Sequence, residues 1–217
     1  MTLSDRESTL LWARQLVDEN NWVTFDTETT GFKGEIVEWA LCNSMAEVLS
    51  HGFIKPAVPI EPDAFKVHRI SNEMVKNAPI FPTVWPEIWS FMRNKIVVIY
   101  NAKFDIEALH RSAFRRGLKI PLSAINHRCA MTQYAKVYGE RKQWGNKDYK
   151  WQSLSDAMIQ LGLKWDGSAH GAIADAKATV AIVRKMANIH LVTTLDYTPV
   201  PDVNTWPEFN RYPQDEE

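Results

Sequence analysis

The chain carries four acids and one histidine at spacings that could do chemistry. The stretch VTFDTETTGF (residues 23–32) places Asp26 and Glu28 directly after the apolar run Val23-Thr24-Phe25 and ahead of a turn containing Gly31. Side chains alternate along a strand, so Val23 and Phe25 share one face. Thr24, Asp26 and Glu28 share the other, with about 6–7 Å between every second residue. Two like charges side by side at the end of a buried strand repel, and burying either is costly unless a cation compensates. The D-x-E pair recurs at Asp5/Glu7, Asp105/Glu107 and Asp215/Glu217, yet only Asp26/Glu28 ends an apolar strand and enters a glycine-containing turn. That context fits a hard-cation site better than a solvated pair.

Two further segments repeat the theme. In IYNAKFDIEAL (99–109) a buried strand runs into Asn101, and Asp105 falls in the first turn of the next helix. Alone, this reads as a helix cap and a dipole-favoured acid. In AHGAIADAKAT (169–179) His170 stands at a helix start and Asp175 lies within it, flanked by Ala174, Ala176 and Ala178. Alone, an exposed acid with a capping histidine explains this equally well. Together, the segments bring four carboxylates to strand ends and early helical turns, without a Cys or His pair. Such a donor set selects Mg²⁺ or Mn²⁺ over zinc. Two such ions about 3.5–4 Å apart could clamp the attacking and leaving oxygens of a phosphodiester. His170 is the residue in these segments whose ordinary pKa suits it to take a proton from water.

The elements that must position these groups follow from capping and periodicity. Ser4-Asp5-Arg6-Glu7 reads as a capping box, and the apolar spacing from Leu10 to Val17 extends it to a helix over 4–19. Residues 22–26 read as a short strand, and 35–43 and 47–54 as two more, antiparallel neighbours across a short link. Pro56, Pro59 and Pro62 mark a loop. Two helices follow, closed by prolines and Asn94, then the buried strand 95–100 and a helix over 104–116. A last strand is expected over 124–129 and a helix over 130–138. SLSDAMIQLG and GAIADAKATVAIVRKMANIH read as two further helices. The pattern predicts one α/β domain over 1–190 with a mixed sheet, followed by a Pro-rich tail over 191–217.

Composition excludes several classes. The chain has 217 residues with 45% hydrophobic and 24% charged residues, ordinary for a globular protein. No run approaches the roughly 18 apolar residues that span a membrane. Cys42 and Cys129 stand alone, which excludes a disulfide scaffold and suits a reducing cytoplasm. A net charge of −1 excludes a protein that coats nucleic acid non-specifically, so any nucleic acid would be gripped locally, at a cleft.

D-x-E-T-T-G, N-A-x-F-D and H-x-A-x-x-D-A, in this order, resemble the three exonuclease motifs of the DEDD superfamily, histidine subgroup, over roughly Trp22 to Ile189. GEIVEWA and VHRISNEMVKNAPIF resemble further segments of that family, most of all exonuclease X. The resemblance implies a ribonuclease H-like fold with a five-stranded mixed sheet flanked by helices. It implies 3′→5′ exonuclease activity at single-stranded 3′ ends, on DNA in preference to RNA, with no membrane partner. It further implies metal ligation by Asp26, Glu28, Asp105 and Asp175, and His170 as general base. Thr29, Thr30, Gly31 and His68 fall near the terminal nucleotide, and Asn101 and Phe104 belong to the second motif. Phe104 could stack on a base or belong to the core. One departure is that Tyr100 stands where the family usually has histidine. The basic and aromatic segment YGERKQWGNKDYKW (138–151) suits a single strand as well as it suits a solvated connector. The alternatives to a DNA exonuclease are an exoribonuclease and a catalytically silent binding module on the same fold.

Overall fold

The first helix starts where the sequence sets its cap. The Ser4 hydroxyl accepts the Glu7 N–H, and the Glu7 carboxylate accepts the Ser4 N–H in return. Helix α1 (Asp5–Glu19) ends at Asn20, whose φ of 50° is the left-handed turn that asparagine tolerates. The computed structural model describes residues 3–143, 148–166 and 170–190. The expected tail lies outside these.

Five strands form one sheet in the order β3-β2-β1-β4-β5: β1 (Trp22–Thr29), β2 (Ile36–Asn43), β3 (Val48–Phe53), β4 (Ile96–Ile99) and β5 (His127–Cys129). β1 pairs antiparallel with β2, and β2 with β3, while β4 runs parallel to both β1 and β5. The mixed sheet is therefore as the sequence predicts. β1 extends three residues beyond the expected end, so Asp26 and Glu28 are inside the strand.

The alternation along β1 divides two cores. Trp22 packs with Ala40, Cys42, Val98 and Tyr100 against α1, α6 (Ala130–Tyr138) and α8 (Ala172–Ala187). Val23 and Phe25 pack with Ile36, Leu41, Val97 and Ile99 against α4 (Phe81–Met92) and α5 (Ala102–Phe114). α8 buries Ala172, Ala174, Ala176 and Ala178. These short side chains let the helix backbone approach the sheet.

The proline-marked loop needs correction. Pro62 opens a helix, α2 (Pro62–His68), which is followed by the short α3 (Asn72–Val75). Proline is favoured at a first helical position because its missing N–H has no intrahelical partner there. The remaining helix is α7 (Leu154–Gln160), capped by the Ser153 hydroxyl. Among the described residues no helix is long and apolar enough to cross a membrane.

Candidate active site

β1, α5 and α8 deliver the four acids to one place. A cleft of about 200 Å³ is lined by Asp26, Thr27, Glu28, Tyr100, Asn101, Phe104, Asp105, Leu154, His170 and Asp175. Oxygen atoms of Asp26, Glu28 and Asp175 all lie within 4.8 Å of one another. Asp105 lines the same cleft, buried at 3% exposure, and accepts a 2.7 Å hydrogen bond from the Thr27 hydroxyl. Thr27 reaches it because it points to the α5 face of β1, opposite Asp26 and Glu28.

The acids resist ionisation together. Burial raises Asp26 well above the usual carboxylate range, and the charges of Asp105, Asp175, Glu28 and Glu38 push it further. Burial also lifts Glu28 to about 8, reinforced by Asp175, Glu38 and Asp105. Asp105 is pushed up to about 7 by burial, against the opposing hydrogen bonds from Thr27. Asp175 is pushed up to about 6 by burial, with His170 pulling it down. None of the ion pairs among the described residues involves these four carboxylates. A group of half-buried carboxylate oxygens without an ion-paired lysine or arginine is a donor set that a hard divalent cation takes, so the residues present fit such an ion.

His170 sits on the rim, exposed, with φ 65°, immediately before the cap residue Gly171 of α8. Its backbone N–H donates to Asp175 Oδ1 at 3.3 Å. Asn101 occupies the cap position of α5, but its side chain makes no capping bond there, so it is not spent on the helix. Phe104 is half-buried, and its ring lies 6.2 Å from that of Phe32, which is 80% exposed. The two rings form an aromatic ledge beside the acids. Phe32 is a residue that sequence reasoning passed over.

Thr29, Thr30, Gly31 and His68 are not among the residues lining the cleft. The Thr29 hydroxyl donates to Gly31 O and the Thr30 hydroxyl accepts the Glu35 N–H, so both side chains fold the turn. A Cβ on Gly31 would meet the Glu61 carboxylate at 2.2 Å, so a larger residue there would have to displace that side chain. His68 is buried. Its Nδ1 accepts the Ile70 N–H at 3.0 Å, so its Nε2–H donates to Thr29 O at 3.1 Å. Burial lowers its pKa, consistent with a neutral ring tying α2 to the end of β1.

Two other residues shape the site. The Tyr100 hydroxyl donates towards Gln152 O and Ser153 O, both at 2.9 Å, and so holds the start of α7, with Leu154, against the cleft. Glu38, opposite Glu28 in the β1–β2 register, is a fifth acid facing the cluster. Its signal in the sequence was an acid inside the apolar run of β2. In the 138–151 segment, Arg141 lies 3.7 Å over the Tyr149 ring, Tyr149 donates to Asp5, and Lys150 pairs with Glu140. Residues 144–147 lie outside the described residues.

An acid-lined cleft at the end of a mixed sheet, with a histidine beside the last acid, defines a nuclease-type hydrolase site. Residues 23–183 match the Exonuclease family of ribonuclease T type, and the chain belongs to that family. It is 35% identical to an uncharacterized exonuclease, CP81, of Escherichia phage 186, over 78% of this chain and 89% of that protein. It is 29% identical to the DNA polymerase III subunit epsilon of Pasteurella multocida, over 84% of this chain and 71% of the subunit. Among solved structures it is similar to exonuclease X in complex with 5′-overhanging duplex DNA, with a TM-score of 0.59, 24% identity, and coverage of 76% of this chain and 90% of the other. It is also similar to the nuclease domain of 3′hExo, a DEDDh family member bound to rAMP, with a TM-score of 0.55, 20% identity and coverage of 75% and 90%. The fold is the ribonuclease H-like exonuclease fold that the motifs implied.

Proposed function

We propose that the chain is a metal-dependent 3′→5′ exonuclease that hydrolyses phosphodiester bonds at the 3′ ends of single-stranded DNA and releases nucleoside 5′-monophosphates. The observation that carries this reading is the convergence of Asp26, Glu28 and Asp175 within 4.8 Å, with Asp105 and His170 in the same cleft. A binding module gains nothing from clustered acids that repel phosphate. Asp26, Glu28, Asp105 and Asp175 would hold two Mg²⁺ or Mn²⁺ ions. Such ions, when bound, supply the positive charge that draws the phosphate in and eases deprotonation of water.

The chain's own residues do the rest. His170, on the rim and open to solvent, takes a proton from the attacking water on a ring nitrogen. Asn101 offers its amide to the phosphate or sugar, and Phe104 with Phe32 gives the terminal base a surface to stack on. The backbone of Thr29-Thr30-Gly31 borders the terminal nucleotide, while His68 keeps that turn in place from behind.

The preference for DNA rests on the resemblance to exonuclease X and to the polymerase subunit epsilon. Discrimination between the sugars depends on contacts to the 2′-hydroxyl. The test is competition between matched single-stranded DNA and RNA of one sequence in one tube. DNA should be consumed faster. RNA consumed more than about tenfold faster would replace this reading with an exoribonuclease.

A further inference from the structure

The N-terminus of α8 carries Asp175 and adjoins His170, yet its own cap residue, Gly171, has no side chain to offer. The first turn of a helix leaves its N–H groups without intrahelical partners. Here the partner comes from the sheet: Glu38 Oε2 accepts the Ala172 N–H at 3.0 Å. Glu38 is buried in the middle of β2, and its other oxygen, Oε1, lies 2.9 Å from His51 Nε2 on β3. The bend that swings the chain into α8 is thus held from two sides. Asp175 Oδ1 accepts the His170 N–H, and Glu38 accepts the Ala172 N–H two residues on. Between these bonds lies His170, whose left-handed backbone is an uncommon conformation for a residue with a side chain.

We infer that Glu38 is a positioning residue: through its bond to the Ala172 amide it sets where His170 and Asp175 sit against Asp26 and Glu28. This rests on the exonuclease reading for its catalytic consequence, but not for its structural half. What Glu38 must supply is an acceptor oxygen at the right reach. A negative charge placed there adds to the repulsion among the acids. A catalytic group displaced by a fraction of an ångström to about 1 Å can lose up to about a hundredfold in rate.

Two substitutions separate reach from charge. Glu38→Asp keeps the charge and is one methylene short of Ala172. Glu38→Gln keeps the reach and drops the charge, and its amide can still donate to His51. The first readout is hydrogen exchange at the Ala172 amide in metal-free protein, which needs no activity. The second is kcat and KM on single-stranded DNA with Mg²⁺. Glu38→Asp should speed Ala172 exchange roughly tenfold or more and lower kcat by about ten- to a hundredfold, with KM changed little. Glu38→Gln should stay near wild type in both. Wild-type behaviour of Glu38→Asp, faster exchange with kcat intact, or a Glu38→Gln as impaired as Glu38→Asp would each overturn the inference. If wild-type protein degrades no nucleic acid, the exonuclease reading fails, and the Ala172 exchange rates still decide the structural half.

Discussion

Removing one acid from the cleft should make the metal-free protein more stable, and the gain should depend on pH in a way that the site dictates. Glu28 is the clearest case, since burial and its acidic neighbours lift it from 4.5 to about 8. Between those two values the folded protein holds a proton that the unfolded chain has released. Stability therefore falls as pH rises through this window, and the loss is complete above about 8. Each pH unit of displacement corresponds to ~1.4 kcal/mol, which sets a ceiling of ~5 kcal/mol for Glu28 at alkaline pH. The cleft opens to water, and screening leaves ~2–4 kcal/mol as the working range. Glu28→Gln removes the ionisable group and keeps its shape. For a domain of this size ~1 kcal/mol moves Tm by about 2–4 °C, so the variant should melt roughly 4–16 °C higher at pH 8.5. At pH 5 the folded protein already holds Glu28 protonated, and the difference should shrink to under ~1 kcal/mol. The assay is thermal denaturation followed by circular dichroism in EDTA, at both pH values. Saturating Mg²⁺ should raise the Tm of wild type at pH 8.5 and that of the variant much less. A variant that melts lower than wild type at pH 8.5, or that gains equally at both pH values, would refute the reasoning.

Three other outcomes follow from the same geometry. His170→Ala should slow turnover by about 10²–10⁴-fold while calorimetry shows Mn²⁺ binding retained, because in the proposed mechanism the imidazole moves a proton and holds no ion. Asp175→Asn should abolish nearly all turnover and weaken Mn²⁺ binding, with circular dichroism unchanged, since its amide oxygen can still accept the His170 N–H. A 3′-phosphate on a single strand should block degradation, because in the proposed binding mode it would add charge beside Asp26 and Glu28, and a circular strand should survive intact; gel analysis of both substrates checks this.

Much of the site was legible because it is local in the chain. The alternation in VTFDTET put Asp26 and Glu28 on one face, and the structure keeps them there. Asp105 and Asp175 could be placed in early helical turns from their segments alone, and they occupy those turns. What escaped depends on pairing across the fold. Glu38 meets Glu28 only through the β1–β2 register, and its bond to Ala172 spans 134 positions. The Phe32–Phe104 ledge likewise joins a turn to a distant helix. α2 escaped because three prolines suggested a loop, although Pro62 stands where a helix accepts proline best. For His68, which the resemblance sets near the substrate, the structure adds that its ring nitrogens bond Thr29 O and the Ile70 N–H. Tyr100, the departure from the second motif, anchors the start of α7 by its hydroxyl, a role visible only once residues 152 and 153 are in place.

The central claim, that this acid cleft runs metal-dependent hydrolysis from a free 3′ end, is tested most directly by one digestion. Single-stranded DNA labelled at its 5′ end is incubated with wild-type protein in Mg²⁺, in Mn²⁺ and in EDTA, and sampled over time. The labelled strand should shorten one nucleotide at a time with either ion and stay intact in EDTA. Degradation that persists in EDTA, release of the 5′ label as the first product, or no degradation with either ion would contradict it.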